Sequence, residues 1–296
     1  MRERDVMVAQ RRPLSHSNGY VPFVMLSGPR TGSHMLAQAL NSSPRITCFR
    51  EVFNGRLDFV QFGVEGYDDF GSQDIALRKE EPVRFLHERI LCQHAEEIQA
   101  VGFKFHYGQH WDFPGILEEL VKHEEIRVLH LGRRNALRML VSLKFAERTG
   151  VWLQEGTLNV RQSNVLKALR HPLKAARRVS RLLQRLRPLK AAGKAARVRV
   201  TIAPEELFNF IVLTNQRAAR FDDLFRQHRK LTVFYEHMVD HREDAFRQVQ
   251  SFLGVEPGPL AVTLRKQNPE PLNELLENYD ELYEAFKDTP QAAFFD

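Results

Sequence analysis

Apolar positions along the chain form short continuous runs separated by segments with helical spacing. Val21 to Leu26 is one such run, bounded by a glycine turn, as expected of a strand buried on both faces. Thr31 to Asn41 reads as the helix after it, and Ile46 to Val52 as a second strand leaving toward a loop. Ala100 to Phe105, Ile126 to Leu131 and Leu231 to Tyr235 read as further strands. Helical spacing predicts helices over Val83 to Glu97, Phe113 to His123 and Asn135 to Thr149. Pro204 opens another, with Glu205 and Glu206 complementing the dipole of its first turn. A helix through Leu253 follows the last strand, and Pro271 to Phe286 reads as a terminal helix. Residues 55–80 are rich in Gly, Asp and Phe without a period and are expected to be irregular.

Strands alternating with helices predict a parallel α/β sheet with helices on both faces. No internal repeat interrupts the alternation, so residues 21–296 read as one domain behind a polar lead-in at 1–20. With 296 residues, 43% of them hydrophobic, the chain can bury a sizeable core. No apolar run approaches the ~20 residues needed to span a bilayer, and the first twenty residues carry no secretory pattern. The two cysteines, Cys48 and Cys92, form neither a metal spacing nor a disulfide framework, so a cytoplasmic location is expected.

Charge changes the picture locally. The net charge is +6, yet no acidic residue lies between Glu155 and Glu205, while thirteen Lys and Arg fall between Arg161 and Arg199. Without those thirteen, 30 basic residues face 37 acidic ones, a net of about −7. Leu166, Leu169, Leu173, Ala176, Val179, Leu183 and Leu186 recur at intervals of three and four, so the segment reads as an amphipathic basic helix pair broken at Pro172. It is expected as an insertion at about 160–200. It either packs with a solvated basic face or touches an anionic membrane surface or an acidic glycan. Nucleic acid ranks last, because no recognition module or interleaved aromatics accompany the charge.

Ser27-Gly28-Pro29-Arg30-Thr31-Gly32-Ser33-His34-Met35 follows the first strand and opens a helix. That geometry suits an anion: backbone N–H groups and the helix dipole face it, the glycines allow close approach, and Arg30, Thr31 and Ser33 add donors. An ordinary glycine turn is the plainer reading. No Gly-Lys-Ser/Thr follows, which counts against a magnesium-dependent ATPase or kinase. Arg133 and Arg134 close the strand ending at Leu131, and Ser142 lies eight positions after Arg134, a little over two helical turns. Arg134 and Ser142 can then reach one anionic group, unless Arg133, Arg134 and Arg138 are only a solvated helix face.

Together these segments resemble the sulfotransferases that use 3'-phosphoadenosine 5'-phosphosulfate. Arg30-Thr31-Gly32-Ser33 resembles their 5'-phosphosulfate loop, and Arg134 with Ser142 resembles their 3'-phosphate pair. Leu264-Arg265-Lys266-Gln267-Asn268-Pro269-Glu270-Pro271-Leu272, and Phe234-Tyr235-Glu236 before a helix, are similar to bacterial carbohydrate sulfotransferases of the nodulation-factor type. The resemblance implies a P-loop NTPase-like three-layer fold and no metal requirement. It implies nucleotide contacts from Arg30, Thr31, Gly32, Ser33, His34, Met35, Arg134, Ser142, Arg265 and Lys266, with adenosine 3',5'-bisphosphate as product. His34 departs from the family's Ser or Thr. Arg30, where cytosolic members carry Lys, points to a carbohydrate or glycolipid acceptor, met in the cytoplasm or at the inner face of the membrane.

Three residues are the catalytic candidates. Arg30 is expected to neutralise charge on the leaving phosphate oxygen. Glu51 and His106 both fall at strand ends and compete as the base for the acceptor hydroxyl. Glu51 matches the glycan-type enzymes and is preferred, given burial or a neighbour to raise its pKa. His106, in Lys104-Phe105-His106, resembles the cytosolic members. Structural pairing of Glu51 with Arg50 or Lys104, and a structural role for His106, remain the bland alternatives. Lys104 alternates out of its strand's apolar set and is a further anion contact. A P-loop kinase, and a non-catalytic basic module binding membrane or nucleic acid, are the rival functions.

Overall fold

The computed structural model describes residues 19–55, 64, 72–152, 198–264 and 267–295. Five strands are β1 (Val21–Ser27), β2 (Ile46–Phe49), β3 (Ala100–His106), β4 (Arg127–Gly132) and β5 (Lys230–Phe234). They form one sheet in the order β2-β3-β1-β4-β5, every neighbouring pair parallel. The chain goes to one side of β1 for β2 and β3, then crosses to the other for β4 and β5. This reversal is the switch point at which open parallel sheets bind ligands, outside the carboxyl ends of the strands.

The period of two along β1 builds both flanking layers. Val24 and Leu26 enter one apolar cluster, with Phe85, Ile116, Leu120 and Phe221. Phe23 and Met25 enter a second, with Leu36, Leu40, Val249 and Leu253. The first layer comes from α3 (Pro82–Phe85), α4 (Ile116–Lys122) and α6 (Pro204–Leu224). The second comes from α1 (Ser33–Leu40), α7 (Tyr235–Asp240) and α8 (Arg242–Leu253). The parallel three-layer fold is therefore as expected. A third cluster joins α5 (Ala136–Thr149), α6, α9 (Leu272–Leu275) and α10 (Tyr279–Phe286). No described helix is long and apolar enough to cross a membrane.

Four expectations need correction. Residues 55–80 are not irregular throughout, because Ser72–Glu80 forms α2. Its Arg78 is buried and donates to the carbonyls of Val52 (2.8 Å) and Asn54 (2.9 Å), a long-range anchor that periodicity does not register. The helix expected over Val83 to Glu97 stops at Ile90, where a π turn (Leu86–Ile90) closes with the Leu91 N–H on the Leu86 carbonyl. The helix after β5 breaks at His241 into α7 and α8. The terminal helix breaks after Leu275 because Leu276 bridges Val200 and the Asn278 side chain bonds both backbone groups of Ile202. The lead-in at 1–18 and most of the basic segment, 153–197, lie outside the described residues.

Candidate active site

The loop between β1 and α1 is held by its own backbone. Arg30 (φ 64°) and Gly32 (φ 82°) both adopt the left-handed region. A Cβ on Gly32 would lie 2.6 Å from the Tyr235 ring, so only glycine fits. Thr31 is buried and spends its hydroxyl proton on the Gly28 carbonyl (3.1 Å), closing the loop rather than facing outward. At eight residues α1 is too short to stand alone. Buried Leu36, Ala37, Ala39 and Leu40 hold it to the sheet. Its first N–H groups, without a side-chain cap, are donors at the positive end of the helix dipole.

A cavity of about 500 Å³ opens beside this loop. It gathers Arg30, Gly32, Ser33, His34 and Met35 from the first motif with Glu51, His106 and Ser142. Lys104, Arg133, Arg138 and Arg242 also line it, so five Lys and Arg accompany one carboxylate, Glu51, among its described residues. Burial lowers the pKa of Arg30, Arg133 and Arg138, the sign of cations taken out of water. His34 Nε2, Arg133 Nε and Asn268 Nδ2 are buried without a hydrogen-bond partner. Unmatched buried donors are costly, and an anion with several oxygens would satisfy them.

Hydrogen bonds across the cavity assign the candidates. Arg30 donates from Nε to Ser142 Oγ (2.8 Å), from Nη1 to the Trp152 carbonyl (2.9 Å), and from Nη2 to Gln267 Oε1. Its own carbonyl accepts from Arg133 (3.2 Å), whose guanidinium also lies over Tyr235. Ser142, expected to share an anion with Arg134, has its Oγ bonded to Arg30. Arg134 stacks instead on Phe234, 4.7 Å from the ring centroid, outside the cavity lining. The reason is a competing anchor: Glu236 accepts from the N–H groups of Arg134 (3.1 Å) and Asn135 (3.2 Å) and fixes the start of α5. Arg265 and Lys266 lie outside the described residues.

Glu51 sits in the turn after β2, not within it. Its Oε1 accepts from Lys104 Nζ (3.0 Å) and its Oε2 from Asn54 (2.7 Å), with His106 Nε2 at 3.4 Å. Burial alone would raise its pKa. The His106 and Asn54 contacts and the Lys104 charge outweigh that and leave it far below the usual carboxylate range. The raised pKa expected of a glutamate base is therefore absent. His106 Nδ1 lies 3.0 Å from the Ser27 hydroxyl, which can donate to it, and 3.1 Å from the Ser27 carbonyl, which can accept from it, so the contacts accommodate either neutral tautomer. With its proton on Nε2 the ring donates toward Glu51, and with its proton on Nδ1 it offers an Nε2 lone pair to a ligand in the cavity. Lys104, 1% exposed, also donates to His34 Nδ1 (3.2 Å). That bond forces the His34 proton onto Nε2, and burial followed by the Lys104 charge lowers its pKa to about 2. His34 is therefore a neutral N–H donor at the position of the family's hydroxyl.

Arg133 and Arg138, weighed in the sequence only as a solvated helix face, line the cavity, and Arg242, which no motif marked, joins them. Three arginines within six residues of the end of β4 were the available signal for the first two. Arg242, in the broken helix after β5, had none.

Comparison with known proteins falls on the same side. Nodulation protein H of Rhizobium tropici is 25% identical over 280 residues, covering 93% of each chain. Nodulation protein H of Rhizobium meliloti (strain 1021) is 24% identical over 282 residues, covering 93% of this chain and 95% of its own. The chain is a relative of Nodulation protein H. The similarity runs over nearly the whole of each chain. A crystal structure of a sulfotransferase from Alicyclobacillus acidocaldarius is 18% identical, with a TM-score of 0.45, and covers 93% of this chain and 94% of its own. No family model matches the sequence.

Proposed function

We propose that this sulfotransferase takes its sulfuryl group from 3'-phosphoadenosine 5'-phosphosulfate and delivers it to a hydroxyl of a carbohydrate or glycolipid. The observation that carries the reading is the cavity at the carboxyl ends of β1, β3 and β4, where five cations and three unpartnered buried donors converge on the left-handed loop. A ligand with phosphate or sulfate at both ends matches that donor set. The loop N–H groups, Ser33 and neutral His34 would hold its 5' side. Ser142 and Arg134 would hold its 3'-phosphate, since the Arg134 guanidinium makes no hydrogen bond among the described residues and can leave its stack on Phe234. Arg30 would steady charge on the leaving phosphate oxygen.

For the acceptor proton, the surroundings favour His106 over Glu51. With its N–H on Nδ1 directed at the Ser27 carbonyl, His106 offers an Nε2 lone pair, and a proton taken there lies 3.4 Å from the ionised Glu51. Glu51 serves best as the anion that orients Lys104 and His106. A kinase reading is weaker, because the loop lacks the phosphate-binding lysine and the one carboxylate lining the described cavity is already tied to Lys104. The carbohydrate-type acceptor rests on the relationship to Nodulation protein H. A cytoplasmic location, with the basic residues 161–199 against an anionic membrane face, belongs to the same proposal.

The test is transfer of labelled sulfate from the donor into a panel of oligosaccharides and glycolipids. Label on at least one sugar hydroxyl, with release of adenosine 3',5'-bisphosphate, is expected. Release without any labelled sugar, or labelling of only non-sugar acceptors, would remove the acceptor assignment.

A further inference from the structure

Away from the cavity, three metal-ligating side chains meet. His87 comes from the π turn, while Glu119 and His123 are one helical turn apart at the end of α4. Glu119 Oε1 lies 2.7 Å from His87 Nε2 and 3.1 Å from His123 Nε2. His123 is buried, and the other two are half-buried. None of the three lines the cavity. Because α4 ends just before β4 begins, the cluster sits by the amino ends of the strands, opposite the active site.

Hydrogen counting exposes a conflict. His123 Nδ1 lies 2.9 Å from Glu125 Oε1, and its Nε2 faces Glu119 Oε1. Both partners are carboxylate oxygens, which only accept when ionised, while neutral imidazole carries one N–H. One of the two contacts therefore needs an added cation, either a second proton on the ring or a metal ion between Nε2 and Oε1. The Lys122 ammonium reaches only the other oxygen, Glu119 Oε2, at 3.6 Å. Three further points favour the metal. Two imidazoles and one carboxylate are the ligand set that suits zinc and its neighbours rather than magnesium or calcium. The ligand atoms all lie within 4.8 Å of one another, and the 3.1 Å between His123 and Glu119 is near the ~3.3 Å edge of a tetrahedron with bonds of about 2.0–2.1 Å. Glu125 on Nδ1 is the outer carboxylate that commonly orients a metal-bound histidine.

We propose that His87, Glu119 and His123 bind one zinc ion, leaving one coordination position open to solvent. The ion staples the π turn to α4. It takes no part in group transfer, because it lies at the other end of the sheet.

The test uses the full, untagged chain stripped with a chelator and titrated with zinc at neutral pH, with cobalt as an optical probe. One saturable equivalent of zinc, a raised unfolding midpoint and a cobalt d–d absorption band are expected. His87→Asn and Glu119→Gln should each remove all three while still unfolding cooperatively without metal. Absence of saturable uptake at one equivalent would show that the bridging cation is only a proton and would overturn the site. Unchanged uptake in both variants would overturn it equally.

Discussion

Glu51 and His106 face each other across 3.4 Å, yet their surroundings fit them for different work. Glu51 is held ionised by three neighbours. His106 has Nδ1 against the hydroxyl and carbonyl of Ser27, and the tautomer that gives its N–H to that carbonyl leaves Nε2 to receive a proton. Sequence could find both residues, because each ends or follows a strand where ligands are delivered. It could not rank them, since the ranking depends on Lys104 reaching across from β3. His34 is a similar case. A residue that looks like a departure from the family's hydroxyl becomes a usable donor once Lys104 occupies its Nδ1. The expected outcome at this scale is that His106→Asn lowers turnover by about 10²-fold or more with bisphosphate affinity nearly unchanged. Glu51→Gln can still accept from Lys104 and should stay within about tenfold of the parent in kcat. Single-turnover rates decide it, and the reverse order would return the base to Glu51.

At the scale of elements, the strand–loop–helix unit of β1 and α1 is the part most tightly bound to its sequence. The apolar run of β1 is legible because both faces are buried, and the loop because glycine has few substitutes at φ 82°. Breaks in the later helices were not legible. They depend on partners far along the chain, such as Val200 for Leu276 and Ile202 for Asn278. Gly32→Ala should lower the unfolding midpoint and weaken bisphosphate binding at least tenfold, since it adds left-handed strain of about 1–2 kcal/mol to a clash with Tyr235. Gly19→Ala is the control, with a similar φ of 90° and nothing within 4 Å of the added carbon. It should cost stability alone. Equal loss of binding in both variants, followed by calorimetric titration, would show that the loop's fit against Tyr235 is not what matters.

For the whole molecule, sheet order decides where chemistry can occur. Residues from β1, β3 and α5 meet because the strands that precede them are neighbours, and that adjacency is hidden in a linear sequence. Most of the first motif nonetheless lines one cavity with Glu51, His106 and Ser142, since these positions follow the same end of their strands. The convergence of Arg133, Arg138 and Arg242 with Arg30 and Lys104 was out of reach, because it comes from four separated segments. All of it rests on one claim, that the cavity is built for an adenine nucleotide with phosphate groups at both its 3' and 5' positions. Thermal unfolding of the full chain with adenosine 3',5'-bisphosphate, set against ATP with magnesium, tests that directly. A ligand at a hundred times its Kd adds about 2.7 kcal/mol to the folded state. The bisphosphate should raise the midpoint well above the ATP-magnesium value at equal concentration, and equal shifts, or none, would contradict the account.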